Sequence, residues 1–216
     1  MDGFLNRTEA GKALAAELAG RTLKDPVVLA LPRGGVPVGI EVARDLGAPM
    51  DLVMVRKIGV PGQPELAVAA VVNGEDPQLI INDSIAAHAR LSRQDIEQLA
   101  QAQPAEIARR RAIYLKGRAA VALEGRTAIV VDDGIATGAT MRVSLKAVRR
   151  RRPGKLILAV PVAAPDTLDA LREEVDEVVC LLEPRPLFGV GAHYADFGQT
   201  SDDEVVRLMD EADRLT

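Results

Sequence analysis

Five short runs of apolar, largely β-branched residues punctuate the chain, at 27–31, 52–56, 127–132, 155–160 and 177–182. Most are nearly continuous in apolar residues instead of alternating, the pattern of strands buried on both faces. Helical patterns lie between them at 37–46, 138–151 and 165–172. Pro37 and Pro165 suit first-turn positions, and Gly47 and the pair Pro153 and Gly154 are stop signals. Strand, helix and strand in succession require right-handed crossovers. The expected fold class is therefore α/β, a central, mostly parallel β-sheet flanked by helices.

Three segments depart from that rhythm. Residues 65–81 read as two short strands around the turn NGEDP, after the proline- and glycine-rich stretch GVPGQP. Residues 92–122 read as a long, polar-faced helix opened by Ser92 and Asp95 in capping-box spacing, with Pro104 kinking or splitting it. Residues 202–215 read as a terminal amphipathic helix. With no repeat and no low-complexity linker, 1–216 is expected to be a single domain.

Composition narrows the function classes. At 216 residues the chain can bury a real core. A formal net charge of -4 gives no general attraction for nucleic acid or an anionic membrane, and no apolar run approaches the ~20 residues that span a bilayer. The lone Cys180 excludes an internal disulfide and suits a reducing compartment. The first residues, MDGFLNRTEAGK, lack the apolar stretch of a signal peptide. A cytoplasmic protein without membrane or nucleic-acid partners is expected. Cys180 itself, within VVCLL, reads as a small buried hydrophobe. Aromatics make up only 2%, yet Phe188, Tyr194 and Phe197 fall close together.

The chemistry concentrates in VVDDGIATGAT, residues 130–140. An apolar strand ends in two carboxylates, Asp132 and Asp133, followed by Gly134, Ile135, Ala136, Thr137, Gly138, Ala139 and Thr140, where a helix begins. Ligands of open parallel sheets bind at the carboxyl ends of strands. A glycine-rich turn into a helix N-terminus presents unpaired N–H groups and the positive end of the helix dipole, a cradle for phosphate. Thr137 and Thr140 add hydroxyl donors. Carboxylates beside a phosphate cradle make sense when the ligand also carries hydroxyls or a metal, as a ribose 5-phosphate does; otherwise the acids are a helix cap in a solvated turn. Ala139 stands where a Walker A loop needs lysine, and Gly34, Gly35 and Gly39 miss the dinucleotide spacing G-x-G-x-x-G.

The segment resembles the phosphoribosyl-pyrophosphate signature of type I phosphoribosyltransferases, and the strand–helix order fits that family over nearly the whole chain. The resemblance implies a core at about 22–182, a mobile loop at about 57–70 and a variable hood at about 183–216. It implies 5-phosphoribosyl-1-pyrophosphate as donor, Mg²⁺ as cofactor with few direct protein ligands, and Asp132 and Asp133 on the ribose hydroxyls. Arg33, Gly34 and Gly35 occupy the place of the family's pyrophosphate loop, often built on a non-proline cis peptide; a simple strand-to-helix turn is the alternative. Lys57, with Arg56 as second candidate, matches the basic residue before the mobile loop, and Pro61, Gly62 and Pro64 suit a lid without helix or ladder bonds. An exposed basic loop is the bland alternative there.

The acceptor is less constrained. Enzymes of the family that act on 6-oxopurines usually place aspartate where Ala136 stands, which argues against that branch. Glu65 is a weak acid–base candidate. The segment PLFGVGAHYADF, residues 186–197, resembles an aromatic base-stacking hood, with Phe188 as the stacking residue and Tyr194, Asp196 and Val190 nearby. Alternatively, its rings plug the core or make a homo-oligomer contact. The implied reaction transfers the phosphoribosyl group to a nitrogenous, nucleobase-like small molecule, as in nucleotide salvage. The rival reading is a non-catalytic regulatory protein that senses the same sugar phosphate.

Overall fold

The computed structural model describes residues 3–72, 77–101 and 103–215, without the side chains of Pro64 and Glu65. The turn read at NGEDP and the candidate side chain of Glu65 therefore lie largely outside the described residues.

The chain opens with α1 (Arg7–Ala19), whose N-cap Asn6 accepts a hydrogen bond from the Glu9 amide at 3.0 Å. Then come β1 (Pro26–Ala30), α2 (Gly35–Leu46) and β2 (Met50–Leu52), and later β6 (Thr127–Val131), α6 (Ala139–Arg150), β7 (Lys155–Val162), α7 (Pro165–Leu171) and β8 (Glu177–Leu182). The five strands form one parallel sheet in the order β2-β1-β6-β7-β8. The near-continuous apolar runs follow from burial on both faces. Val28, Ala30, Ile129 and Val131 join one core with α1, α2 and α8 (Asp202–Ala212), while Val27, Leu29, Ala128 and Val130 join a second core under α6 and α7. The strand order turns between β1 and β6, so the loops after these two strands meet at one edge of the sheet.

A second, antiparallel sheet holds β3 (Val55–Val60), β4 (Gln63–Val72) and β5 (Gln78–Ile81). The strand expected at 52–56 is thus two strands in two sheets. Leu52 pairs with Ala30 in the parallel sheet, and Val55 pairs with Val72 in the other. The apolar run LVMV is continuous across the bend, so nothing in it marks the change. The segment expected to be a loop without ladder bonds is a hairpin laddered from Val55 and Val72 to Val60 and Gln63. Its prolines are accommodated because Pro61 lies in the turn and Pro64 in the register shift beyond Gly59, where a missing N–H costs no ladder bond.

The helix expected over 92–122 is two. They are α4 (Arg93–Ala100), with the capping box of Ser92 and Asp95 in place, and α5 (Gln103–Leu115), with Pro104 in its first turn. Helix α5 ends seven residues early, because Lys116 and Gly117 both adopt positive φ. The short α3 (Asp83–His88) follows β5.

Candidate active site

The site is built where β6 ends. Asp132 and Asp133 follow directly, and the Asp133 amide donates to Asp132 Oδ1 at 2.9 Å, which orients the first carboxyl. Two bonds, one to β7 and one to the residues just after it, anchor the next turn: the Ile135 amide donates to the Val162 carbonyl at 2.9 Å, and the Ala164 amide donates to the Ile135 carbonyl at 3.3 Å. Gly134 is required by contact. A Cβ there would lie 2.5 Å from Val190 Cγ1 and 2.8 Å from Val162 Cγ1. Thr167 Oγ1 donates to the Ala136 carbonyl at 2.8 Å, fixing the tip of the loop. Helix α6 then opens from Gly138 (φ 72), and no side chain caps it. Its first amides are left as donors beside Thr137 and Thr140, the arrangement an anion recognises.

Thr137, Ala139 and Thr140 line one wall of a cavity of about 440 Å³ between α6 and the antiparallel sheet. Lys57 lines the opposite wall, and Arg142 and Lys146 extend from α6. The structure therefore brings Lys57 and the helix-opening loop together, although they lie far apart in sequence. Arg56, its neighbour on β3, faces a separate small cavity of about 40 Å³ with Arg33, Arg110 and Tyr114. Successive residues of a strand point to opposite sides, which separates the two basic candidates.

The β1–α2 loop reaches the acids from the other side. Its Pro32–Arg33 peptide is cis. Arg33 Nη1 lies 3.5 Å from Asp202 Oδ1, and Tyr114 Oη donates to the same oxygen at 2.6 Å. The Gly35 amide donates to the Leu31 carbonyl at 2.9 Å, so the donor expected for a ligand serves the turn itself here. The glycines matter instead for approach. A Cβ on Gly34 would stand 2.1 Å from Asp133 Oδ2, and one on Gly35 would stand 2.8 Å from the Val131 carbonyl oxygen.

Burial and repulsion by Asp133 push the Asp132 carboxyl well above the usual carboxylate range. Burial also raises Asp133, opposed by Arg7. Arg7 Nε donates to Asp133 Oδ2 at 2.8 Å, and both side chains are largely buried, at 13% and 15% exposed. Sequence reading missed Arg7 along with the whole of α1. The Asn6-to-Glu9 spacing of a helix start was the available signal, but nothing local tied that helix to residue 133.

Residues 186–197, the segment expected to form a hood, fall into two parts. Tyr194 packs against Phe4 and Phe197, with ring centroids 5.6 and 5.0 Å apart, and its hydroxyl donates to the Asp133 carbonyl at 2.6 Å. Phe4 and Tyr194 are buried while Phe197 stays partly exposed, and this segment is clipped to the N-terminal one by the bond from the Phe4 amide to the His193 carbonyl and by that from the Ala195 amide to the Phe4 carbonyl. Phe188, by contrast, is 90% exposed and has no ring partner among the described residues. Two positions on, Val190 touches the site at Gly134.

A family model for the phosphoribosyl transferase domain matches residues 4–196. The chain belongs to this family. Among its relatives is a Mycobacterium tuberculosis protein, found in two strains under the name "Putative phosphoribosyl transferase", 45% identical over 211 residues, which are 98% of this chain and 47% of that protein. The chain thus spans about half the length of the curated relatives it matches. A Thermus thermophilus protein of known crystal structure is 41% identical, with a TM-score of 0.85 over 97% of this chain and 98% of that one. The parallel sheet, its flanking helices and the small antiparallel sheet are the type I phosphoribosyltransferase fold.

No three His, Cys, Asp or Glu side chains among the described residues are grouped so as to hold a metal ion. No helix among them is long and apolar enough to cross a membrane.

Proposed function

We propose that this domain binds 5-phosphoribosyl-1-pyrophosphate and transfers its phosphoribosyl group to a nitrogenous, nucleobase-like acceptor, releasing pyrophosphate. The observation that carries the reading is the junction of β6 and α6. Two carboxylates stand beside an uncapped helix start that offers amides and two threonine hydroxyls. A 5′-phosphate fits the α6 start, and the ribose hydroxyls fit the acids. Lys57, across the cavity from Thr137, supplies positive charge for the donor's phosphates.

Mg²⁺ fits this site as an ion held mainly by water and by substrate oxygens, because no three acid, His or Cys side chains group together among the described residues and one of the paired acids is already bonded to Arg7. Bound with the donor, it supplies charge neutralisation for the departing diphosphate. The protein's own contribution is positioning and electrostatics. The nucleophilic nitrogen of the acceptor bonds to C1 of the ribose, the C1–O bond to the diphosphate breaks, and its electron pair leaves with pyrophosphate. The hairpin of β3 and β4 is the element suited to cover the reacting carbon and keep water from capturing it. Phe188 offers an exposed ring for an acceptor base, and Ala136 lacks the carboxylate that a 6-oxopurine enzyme usually carries there.

The test is incubation with the donor, Mg²⁺ and a broad panel of nitrogenous bases, followed by pyrophosphate release. Release with one class of base is the expected result. Donor binding without release across the panel would overturn the transfer and favour the sensing role.

A further inference from the structure

Among the described residues, Asp133 is tied to another side chain through one carboxylate oxygen. Oδ2 accepts from Arg7 Nε at 2.8 Å and lies against Gly34, where even a methyl group would collide with it. No other described residue donates to Oδ1, and the one further bond to this carboxyl comes from the Asp133 amide itself. The guanidinium that holds Oδ2 is itself held on two other sides. Its Nη1 donates to the Gly198 carbonyl at 2.6 Å, and its carbon sits 3.9 Å from the centre of the Phe197 ring. Arg7 thus joins three segments remote in sequence: the first residue of α1, the acid pair after β6, and the tail of the hood. A flat, five-donor cation suits this three-way contact; a lysine could pair with the acid but could not also stack and bond the carbonyl in the same geometry.

We propose that Arg7 is a positioning residue for the phosphoribosyl site: it holds Asp133 Oδ2 and so presents Oδ1 as the acceptor for a ribose hydroxyl, while tying the hood tail to that carboxylate. The inference rests on the proposed binding of ribose at the acid pair. The surrounding charges agree with it. Asp132 and the Tyr194 hydroxyl face the same corner, and neither offers Asp133 a compensating cation. Among the described residues, Arg7 supplies the formal positive charge that counters the rise burial imposes on that carboxyl. Truncating Arg7 would leave a largely buried acid without its partner, free to protonate or turn away.

The decisive experiment is calorimetric titration of the full chain, its Arg7→Lys and Arg7→Gln variants, Asp133→Asn, and the Arg7→Gln/Asp133→Asn double variant. The probes are 5-phosphoribosyl-1-pyrophosphate, ribose 5-phosphate and inorganic pyrophosphate. Arg7→Gln should weaken both ribose-bearing ligands by about tenfold or more, the loss of one charge-assisted contact. It should leave pyrophosphate within about twofold, and Arg7→Lys should fall between. In the Asp133→Asn background, Arg7→Gln should add less than about twofold, because the two residues act as one unit. Equal weakening of all three ligands would overturn the proposal in favour of a general structural role, as would full additivity with Asp133→Asn. If Arg7→Gln does not fold, Arg7→Lys carries the ligand comparison, because a lysine there cannot keep both the bond to Gly198 and the stack on Phe197. Wild-type affinity for the ribose-bearing ligands in that variant would then count against the proposal. The wild type decides the underlying reading separately: donor affinity there with unaltered affinity in the Arg7 variants refutes only the role of Arg7, whereas no affinity for any ribose-bearing ligand refutes both.

Discussion

Gly34→Ala isolates the packing that sets Asp133. Gly34, the N-cap of α2, has φ -60 and ψ -33, a backbone alanine adopts without strain, so alanine there should gain about 0.4–1 kcal/mol by restricting the unfolded chain. The added Cβ, however, would stand 2.1 Å from Asp133 Oδ2 and 2.6 Å from its carboxyl carbon. Ordinary carbon contacts are about 3.5–4 Å, so the carboxyl must retreat by roughly an ångström or more. That movement breaks the bond from Arg7 Nε, about 1.5–3 kcal/mol for a charged pair, and an off-rotamer side chain adds about 0.5–1.5 kcal/mol. The net cost is about 2.5 kcal/mol, a fall in Tm of roughly 5–10 °C for a chain of this size. Donor affinity should drop at least about tenfold in parallel. Thermal unfolding by circular dichroism, with calorimetric titration of the donor, reads both effects. Gly20→Ala is the control: Gly20 has φ -75 and nothing within 4 Å of its Cβ position, so it should be neutral or slightly stabilising. A Gly34→Ala protein as stable and as tight-binding as Gly20→Ala would refute the claim that Gly34 locks the carboxylate.

Two further outcomes follow from the buried groups. Asp132 and Asp133 have folded-state carboxyls raised above their ordinary range, so the folded state holds their protons more tightly than the unfolded chain does. Their contribution to stability is fully present below the unfolded carboxylate range and is lost as pH rises through the raised folded values. Asp132→Asn should therefore flatten that decline and raise Tm at neutral pH while weakening donor binding; a lower Tm at neutral pH, measured by calorimetry with pH varied, would contradict the repulsion. Cys180, expected to be buried, is only partly so; that partial burial pushes its thiol up to about 11, and its Sγ donates to the Leu182 carbonyl at 3.2 Å. At pH 8 a maleimide should label native protein slowly and denatured protein fast, and equal rates would show the thiol to be accessible.

Much of the parallel sheet was legible because burial on both faces leaves near-continuous apolar runs, and β6 reads directly into its acids and glycines. The edges were not. Residues 52–56 are apolar whether they end one sheet or begin the next, and the hairpin tip has the prolines and glycine of a loop although its backbone is laddered. The helix expected to reach 122 stops at Leu115, where left-handed Lys116 adds to the turn at Gly117.

Covalent order alone sets the junction after β6: strand, two acids, glycine turn and helix start are contiguous, so their chemistry can be read along the chain. Their surroundings depend on packing. Lys57 rather than Arg56 reaches the α6 cavity because neighbouring strand residues point to opposite sides. Tyr194 is buried because Phe4 and the N-terminal segment pack against it. Arg7 meets Asp133 across 126 residues of chain. No local pattern encodes that meeting, since it depends on where α1 and the segment around Gly198 pack against the end of β6.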